Sequence, residues 1–390
     1  MNFSARTNWN LAENELTIAL RERRRKGQEL FDLTLSNPTH CGFACDNAAI
    51  LAPLGNPEAL HYDPNPLGMF SARSAVTQYY RDAGADVSPD HICLTTSTSE
   101  AYSFLFRLLC NPGDDVLIAR PSYPLFEYIA HLDDVALREY PLLYDPNADL
   151  STGHGWSIDF HALQSSITPT TRAIILVHPN NPTGNFASSS ERTHLEAICA
   201  EHNLALIVDE VFLDYAIAAS QPSFTTGESR CLTFVLSGIS KVCGLPQMKA
   251  SWIAARGPSS LVQQAMQRIE VIADTFLSMN APIQYALPHW LSARHILQQQ
   301  IRERLRTNLT LIDQRLRGTS AQRLAMEAGW TAVLRIPRTV EGREFVAAAL
   351  DHGVLVQPGD FYGLGDGKVV VSLLTPPEVL TAGLTRLPID

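Results

Sequence analysis

An α/β fold, with a buried and mainly parallel sheet joined to a smaller α+β unit, is what three features of the 390-residue chain predict. The run Leu204-Ala205-Leu206-Ile207-Val208 is wholly apolar, as strands buried on both faces of a parallel sheet are. Short strand runs at His91 to Leu94, Asp115 to Ala119 and Arg172 to Val177 lie among helical patterns at Ala101 to Leu109 and Glu191 to Asn203. From Trp330 onward the pattern changes. Strand runs at Thr331 to Ile336, Val354 to Val356 and Val369 to Leu373, with a helix at Gly342 to His352, read as a small α+β unit.

Composition narrows the function classes. Thirty basic against 40 acidic residues leave a net charge of −10, which excludes an electrostatic nucleic-acid or membrane-surface binder. No apolar segment reaches the ~18 residues of a membrane span. Met1 to Asn10 lacks the apolar core of a signal peptide, and seven scattered cysteines read as reduced thiols of a cytosolic protein. Cys41 and Cys45 have no second pair to complete a zinc site, so no metal is expected.

Taken in order, Asn10 to Lys26 is predicted to be a helix, with Asn10 and Glu13 forming a capping box and Gly27 ending it. Phe31 to Leu35 alternates as a short strand. Asn37 follows in Ser36-Asn37-Pro38-Thr39, either a ligand-facing loop or an ordinary Asn-Pro turn. Tyr62 lies in an irregular Pro-rich stretch before a helix spanning Arg73 to Arg81. After the strand His91 to Leu94 comes Thr95-Thr96-Ser97-Thr98-Ser99, then a helix from Ala101 to Leu109. One N-cap needs a single hydroxyl, so Thr96, Ser97 and Thr98 at a helix start read as an anion site. Strand Asp115 to Ala119 leads to Tyr123, between Pro121 and Pro124: a stacking ring or a loop anchor. Strand Arg172 to Val177 leads to the tight loop His178-Pro179-Asn180-Asn181-Pro182-Thr183-Gly184. A helix from Glu191 to Asn203 precedes the apolar strand, which ends in Asp209, and ligands of open α/β sheets collect at such ends.

The apolar run Leu232 to Leu236 then ends in small residues followed by Lys241. Small neighbours let a planar group approach the backbone, and a lysine fixed there suits a Schiff base with a carbonyl cofactor. Ser259 to Thr275 is predicted as a helix, Pro282-Ile283-Gln284 as a break, and Leu287 to Leu316 as a further helix kinked near Pro288.

The segment Gly238-Ile239-Ser240-Lys241-Val242-Cys243-Gly244 resembles the lysine motif of the class I/II aminotransferases, enzymes of the aspartate-aminotransferase-like fold that use pyridoxal 5′-phosphate. Asn181-Pro182-Thr183-Gly184 is similar to another signature of that family, and the motifs fall in the family's order from about Leu33 to Leu373. The resemblance implies a Schiff base on Lys241, Tyr123 stacked on the cofactor ring, and Asp209 paired with the ring nitrogen. Asn181 would touch the phenolic oxygen and the substrate. Thr96, Ser97, Thr98, Ser240 and Lys249 would surround the phosphate, and Tyr62 would reach the phosphate of the other subunit of a homodimer. Asn37 would lie near substrate. The implied architecture is a seven-stranded-type, mainly parallel sheet in residues 46–285, and a small domain built from residues 1–45 and 286–390.

Four positions depart from the family. Phe212 stands where a Tyr donates to the phenolic oxygen, Lys249 where Arg holds the phosphate, and Ser97 where a Gly is usual. Val370 stands where an Arg grips the substrate α-carboxylate, which leaves Arg335 or Lys368 as substitutes, or an unusual amine or modified amino acid as substrate. Aminotransfer between an amine and a keto acid is the first expectation. A β-eliminating lyase on the same cofactor and a non-catalytic cofactor-binding protein are the alternatives.

Overall fold

The computed structural model describes all residues except 152, 218, 278, 338–340 and 390. Its strands are β1 (Phe31–Asp32), β2 (Ile92–Thr95), β3 (Asp115–Arg120), β4 (Ala136–Tyr144), β5 (Trp156–Ile158), β6 (Thr171–Val177) and β7 (Ala205–Asp209). They continue with β8 (Thr233–Gly238), β9 (Ser251–Arg256), β10 (Gln322–Arg323), β11 (Thr331–Arg335), β12 (Val354–Leu355), β13 (Gln357–Pro358) and β14 (Lys368–Ser372).

The large sheet runs β2-β9-β8-β7-β6-β3-β4-β5. From β8 to β4 every neighbouring pair is parallel, while β9 runs against both its neighbours and β5 against β4. Eight strands therefore stand where seven were expected. The additional one is short β5, which covers the outer edge of β4 through Leu142 to Tyr144. Alternation along the central strands divides the core between the two faces: Leu206, Val208 and Val235 join one cluster, Ile207, Phe234 and Leu236 the other. This double burial is why Leu204 to Val208 carries no polar side chain.

The small sheet is antiparallel, in the order β10-β11-β14-β13. Beside it, β1 pairs in parallel with β12, so the N-terminal segment is stitched to the C-terminal one. Leu33 is fully buried among Val354, Leu380 and Leu384. The helix Ala281–Leu316 serves both bodies. Ala286, Leu287 and Trp290 pack in a large-sheet cluster, and Ile301, Leu305 and Ile312 in the small-sheet one. At 36 residues it is about 54 Å long.

Several local expectations change. The first helix is Glu15–Arg25, capped by Asn14, whose side chain accepts from Thr17 N; Glu13 instead pairs with Arg21. Only Phe31–Asp32 of the expected first strand forms a ladder, because Asp32 Oδ1 accepts from Thr34 N and turns the chain. Pro282 does not break the chain. It sits in the first turn of the long helix, where its missing N–H costs nothing, and Asn280 caps that turn by accepting from Ile283 N.

Candidate active site

The carboxyl ends of β2, β3, β6, β7 and β8 point to one edge of the sheet, and each delivers one sequence-singled element there. β8 ends in Gly238, and Lys241 follows in the short helix Ile239–Val242. A Cβ on Gly238 would come to 2.2 Å from Ser251 Oγ, so only glycine lets β8 and β9 close this tightly just before the lysine. Lys241 Nζ lies 4.9 Å from the centroid of Trp330 and 5.5 Å from that of Phe212. Burial lowers its pKa, and the charge of Asp209 opposes that shift. Its carbonyl accepts from the Tyr215 hydroxyl at 2.5 Å, which ties the helical turn to the residues after β7.

Asp209 closes β7 and is buried, 7% exposed. Its carboxylate accepts from Tyr102 Oη at 3.2 Å and Val211 N at 3.1 Å. Burial outweighs both bonds and raises its pKa to about 6. An acid without a contacting cation at the end of a buried strand is prepared to receive one.

At the end of β2, Ser97 caps the helix Thr98–Leu109 by accepting from Glu100 N at 3.1 Å. Glu100 closes the loop: its carboxylate accepts from Thr96 N at 2.6 Å and Thr96 Oγ1 at 3.0 Å. The Thr96 hydroxyl is therefore engaged within the loop. The N–H groups of Thr98 and Ser99, in the first helical turn, remain as anion donors. Ser97 has φ −160°, extended backbone that any residue adopts, so the loop accepts a Cβ where the family has glycine. Lys249 is exposed and left-handed at φ 54°, an uncommon backbone for a non-glycine residue. Ser240 precedes Lys241 in the same turn and is partly buried.

Tyr123 follows β3, 40% exposed, with its ring edge-on to Phe126 at 6.1 Å. Burial raises its hydroxyl pKa, and the charge of Asp209 adds to that shift. After β6, Asn181 Oδ1 is sealed from solvent without a hydrogen-bond partner. Its neighbour Asn180 donates to Pro121 O at 3.1 Å, which joins this loop to the one carrying Tyr123.

Other candidates lie elsewhere or are already engaged. Asn37 Oδ1 accepts from Thr39 N at 3.1 Å and Thr39 Oγ1 at 2.8 Å, the geometry of a turn. Tyr62 is 82% exposed, beside Leu60 and Leu277 rather than Lys241. Arg335 is held by Gln322. Lys368 Nζ donates to Leu364 O at 3.0 Å and to Asp366 O at 3.4 Å. Val370 is buried with Leu324, Val333, Tyr362 and Leu364, an apolar cluster where the family keeps a cation. Sequence reasoning missed Tyr102, Glu100, Tyr215 and Trp330. Glu100, four residues after Thr96, was the most legible of them, as a helix-start acid.

The polar groups fit pyridoxal phosphate. A buried acid awaits a cation, a buried amide oxygen awaits a donor, a desolvated lysine stands beside two aromatic rings that pack on each other, and a helix start offers free N–H groups.

Residues 46–387 match the model of the family Aminotransferase class I and II. The chain is 28% identical over 274 residues to the glutamate-pyruvate aminotransferase AlaA of Escherichia coli K12, covering 69% of this chain and 65% of that protein. It is 31% identical over 271 residues to an alanine aminotransferase of Mycobacterium tuberculosis H37Rv, covering 67% and 60%. The match thus spans somewhat less than two thirds of either relative. Among solved structures, an alanine aminotransferase from Pyrococcus furiosus superposes with a TM-score of 0.87 at 22% identity, over 99% of this chain and 98% of that one. The aspartate aminotransferase of Thermus thermophilus with maleate gives 0.81 at 20%, over 99% and 98%. At such identities these likenesses establish the fold.

Proposed function

This chain belongs to the class I and II aminotransferases, and from that premise we propose that it transfers an amino group between an amine and a keto acid with pyridoxal 5′-phosphate. The observation that carries this reading is the meeting, at adjacent strand ends, of a lysine desolvated by burial and a buried acid with no contacting cation. Bound there, the cofactor supplies an electron sink for the carbon bearing the amino group.

The chain's own residues do the rest. Lys241 Nζ is the covalent anchor, and the lowered pKa keeps more of it as free amine at neutral pH, able to attack and to carry a proton. Asp209 is the partner for the ring nitrogen, and an opposite charge beside that nitrogen favours its protonated form. Tyr102 and Val211 N hold the carboxylate in place for this. The helix start at Thr98 would take the phosphate, with Thr96, Ser97, Ser240 and Lys249 as the further candidates to hold it. Lys249 gives it a point charge rather than the two-pronged grip of an arginine. Tyr123 would cover one ring face, and the Asn181 amide would donate through Nδ2 to the phenolic oxygen, leaving Oδ1 to accept from a substrate donor. Phe212, packed edge-on against Trp330 at 5.4 Å, offers no hydroxyl.

A homodimer completes the reading. Tyr62, Leu60, Phe70 and Leu277 are 82%, 90%, 62% and 69% exposed, a quantity of bare apolar surface that suits an interface. Among the described residues no helix is long and apolar enough to cross a membrane.

Incubation with the cofactor, borohydride reduction and peptide mapping test the reading: the pyridoxyl group is expected on Lys241, and its appearance on another lysine would sink the assignment. A panel of amines should convert the cofactor to its amine form with release of keto acid. Ammonia released with pyruvate would instead mark a lyase, and no response to any amine a non-catalytic binder.

A further inference from the structure

Three chain segments meet at one buried carboxylate that the motifs do not include. Glu327, in the connection between β10 and β11, is 6% exposed. Its Oε2 accepts from Phe186 N at 3.0 Å, and its Oε1 lies 2.9 Å from His154 Nδ1. Its own N–H donates to Gly184 O at 3.0 Å, and its carbonyl accepts from Ile217 N at 2.9 Å. Both carboxylate oxygens and both backbone groups are therefore engaged with the loop after β6, the chain after β7 and the residues before β5. Burial pushes the carboxyl pKa up, and the Phe186 N–H and His154 oppose that shift. A buried acid is costly to hold, and here the groups that hold it all belong to other segments.

The residues after Glu327 tighten the same junction. Ala328 N also donates to Gly184 O, at 2.8 Å, and Gly329 N donates to Tyr215 O at 3.1 Å. Gly184 has φ +72°, and a Cβ on it would stand 2.3 Å from Ala328 O, so this approach needs glycine. Two parts of the candidate site hang on these contacts. Gly184 N donates to Asn180 O at 2.8 Å and closes a turn around Asn181, whose Oδ1 is sealed and unpaired. Thr331 Oγ1 donates to Pro182 O at 3.0 Å in the same turn. Trp330, three residues beyond Glu327, is 1% exposed, and its ring centroid lies 4.9 Å from Lys241 Nζ and 5.0 Å from that of Tyr215.

We propose that Glu327 is a positioning residue for aminotransfer: it locks the turn 180–184 to the segment leading into Trp330, and so sets Asn181 and Trp330 relative to Lys241. It acts through those two side chains. Without its carboxylate the buried Phe186 N–H has lost its acceptor, which costs about as much as a lost hydrogen bond, and the turn shifts to find another.

This inference rests on the aminotransfer reading, in which Asn181 donates to the phenolic oxygen, and two measurements separate them. In cofactor-free protein, hydrogen exchange of the amides in 183–187 should be about tenfold faster in Glu327→Ala than in wild type, with those of β7 unchanged. In cofactor-loaded protein, the pH midpoint of the cofactor absorbance follows the hydrogen bond from Asn181. Asn181→Ala should shift that midpoint by about half to one unit. Glu327→Ala should shift it in the same direction, and combining the two should add nothing to Asn181→Ala alone. Glu327→Gln keeps an oxygen for Phe186 N and should return both measurements close to wild type. Glu327→Asp, one carbon shorter, replaces the alanine variant if that one does not fold, with the same expectations. Unchanged exchange in 183–187, an unmoved midpoint in a folded and loaded variant, or a shift that adds in full to that of Asn181→Ala overturns the inference and leaves aminotransfer standing. Absence of any cofactor absorbance from the wild type overturns both.

Discussion

Asp209 shows how a single residue trades stability for function. The fold favours its neutral form, so its contribution to stability is full below its ordinary value of 3.8 and is lost as pH rises through about 6. Two units correspond to about 3 kcal/mol. Without cofactor, Asp209→Asn removes that loss, and its amide oxygen still accepts from Val211 N. Urea unfolding at pH 4 and pH 7.5 should therefore show the variant gaining about 2 kcal/mol on the wild type between the two, because at pH 4 a small part of the loss has already occurred. An equal difference at both values would show that Asp209 does not titrate in this window. With cofactor, the same change should lower kcat about 10²- to 10³-fold, the size of losing a preorganised charge partner. Its neighbour Glu210, raised by burial to about 7, is bound to Ser223 Oγ and Phe224 N and faces away from this chemistry, so Glu210→Gln should alter stability more than rate.

At the scale of elements, the close approach of β8 and β9 positions the lysine. Gly238→Ala would place its Cβ 2.2 Å from Ser251 Oγ and 3.0 Å from Ala250 O. It should cost about 1–3 kcal/mol by overpacking and weaken cofactor binding, because Lys241 rides on the displaced turn. Adding Ser251→Gly should recover part of both losses. If the double variant is no better than the sum of the single ones, the two strands do not constrain the lysine through this contact. β8 was legible because a buried strand followed by small residues and a lysine has a chemical reason. Its partner β9 was not, since Ser251 to Arg256 has no alternation and only Gly257-Pro258 marks its end. β4 was hidden by Pro141, which argues against a strand, yet here it stands at the end of the ladder with β3, opposite Arg120. The site residues supplied by motifs were readable, whereas Tyr102 and Trp330 reach the site only through tertiary packing, which leaves no trace in local spacing.

At the scale of the whole molecule, the position of Tyr62 divides two accounts of the site. Its exposure of 82% and its apolar neighbours Leu60 and Leu277 place it at a distance from its own Lys241 environment, so a phosphate contact from Tyr62 requires a second copy of the chain. A hydroxyl donating to a charged phosphate contributes about 1.5–3 kcal/mol. Tyr62→Phe should therefore weaken cofactor binding about 10- to 150-fold while leaving the fold intact. Lys241→Ala subunits have no covalent anchor and no turnover. Co-refolded with Tyr62→Phe subunits, they form mixed dimers in which one site carries both defects and the other carries neither. Cofactor release from the mixture should then show a class of sites as slow as wild type, absent from either parent, and turnover should return in proportion to it. Light scattering should give twice the mass of the 43.0 kDa chain. Were the mixture only the average of its parents, with dimers demonstrably exchanged, Tyr62 would act within its own subunit or not at all.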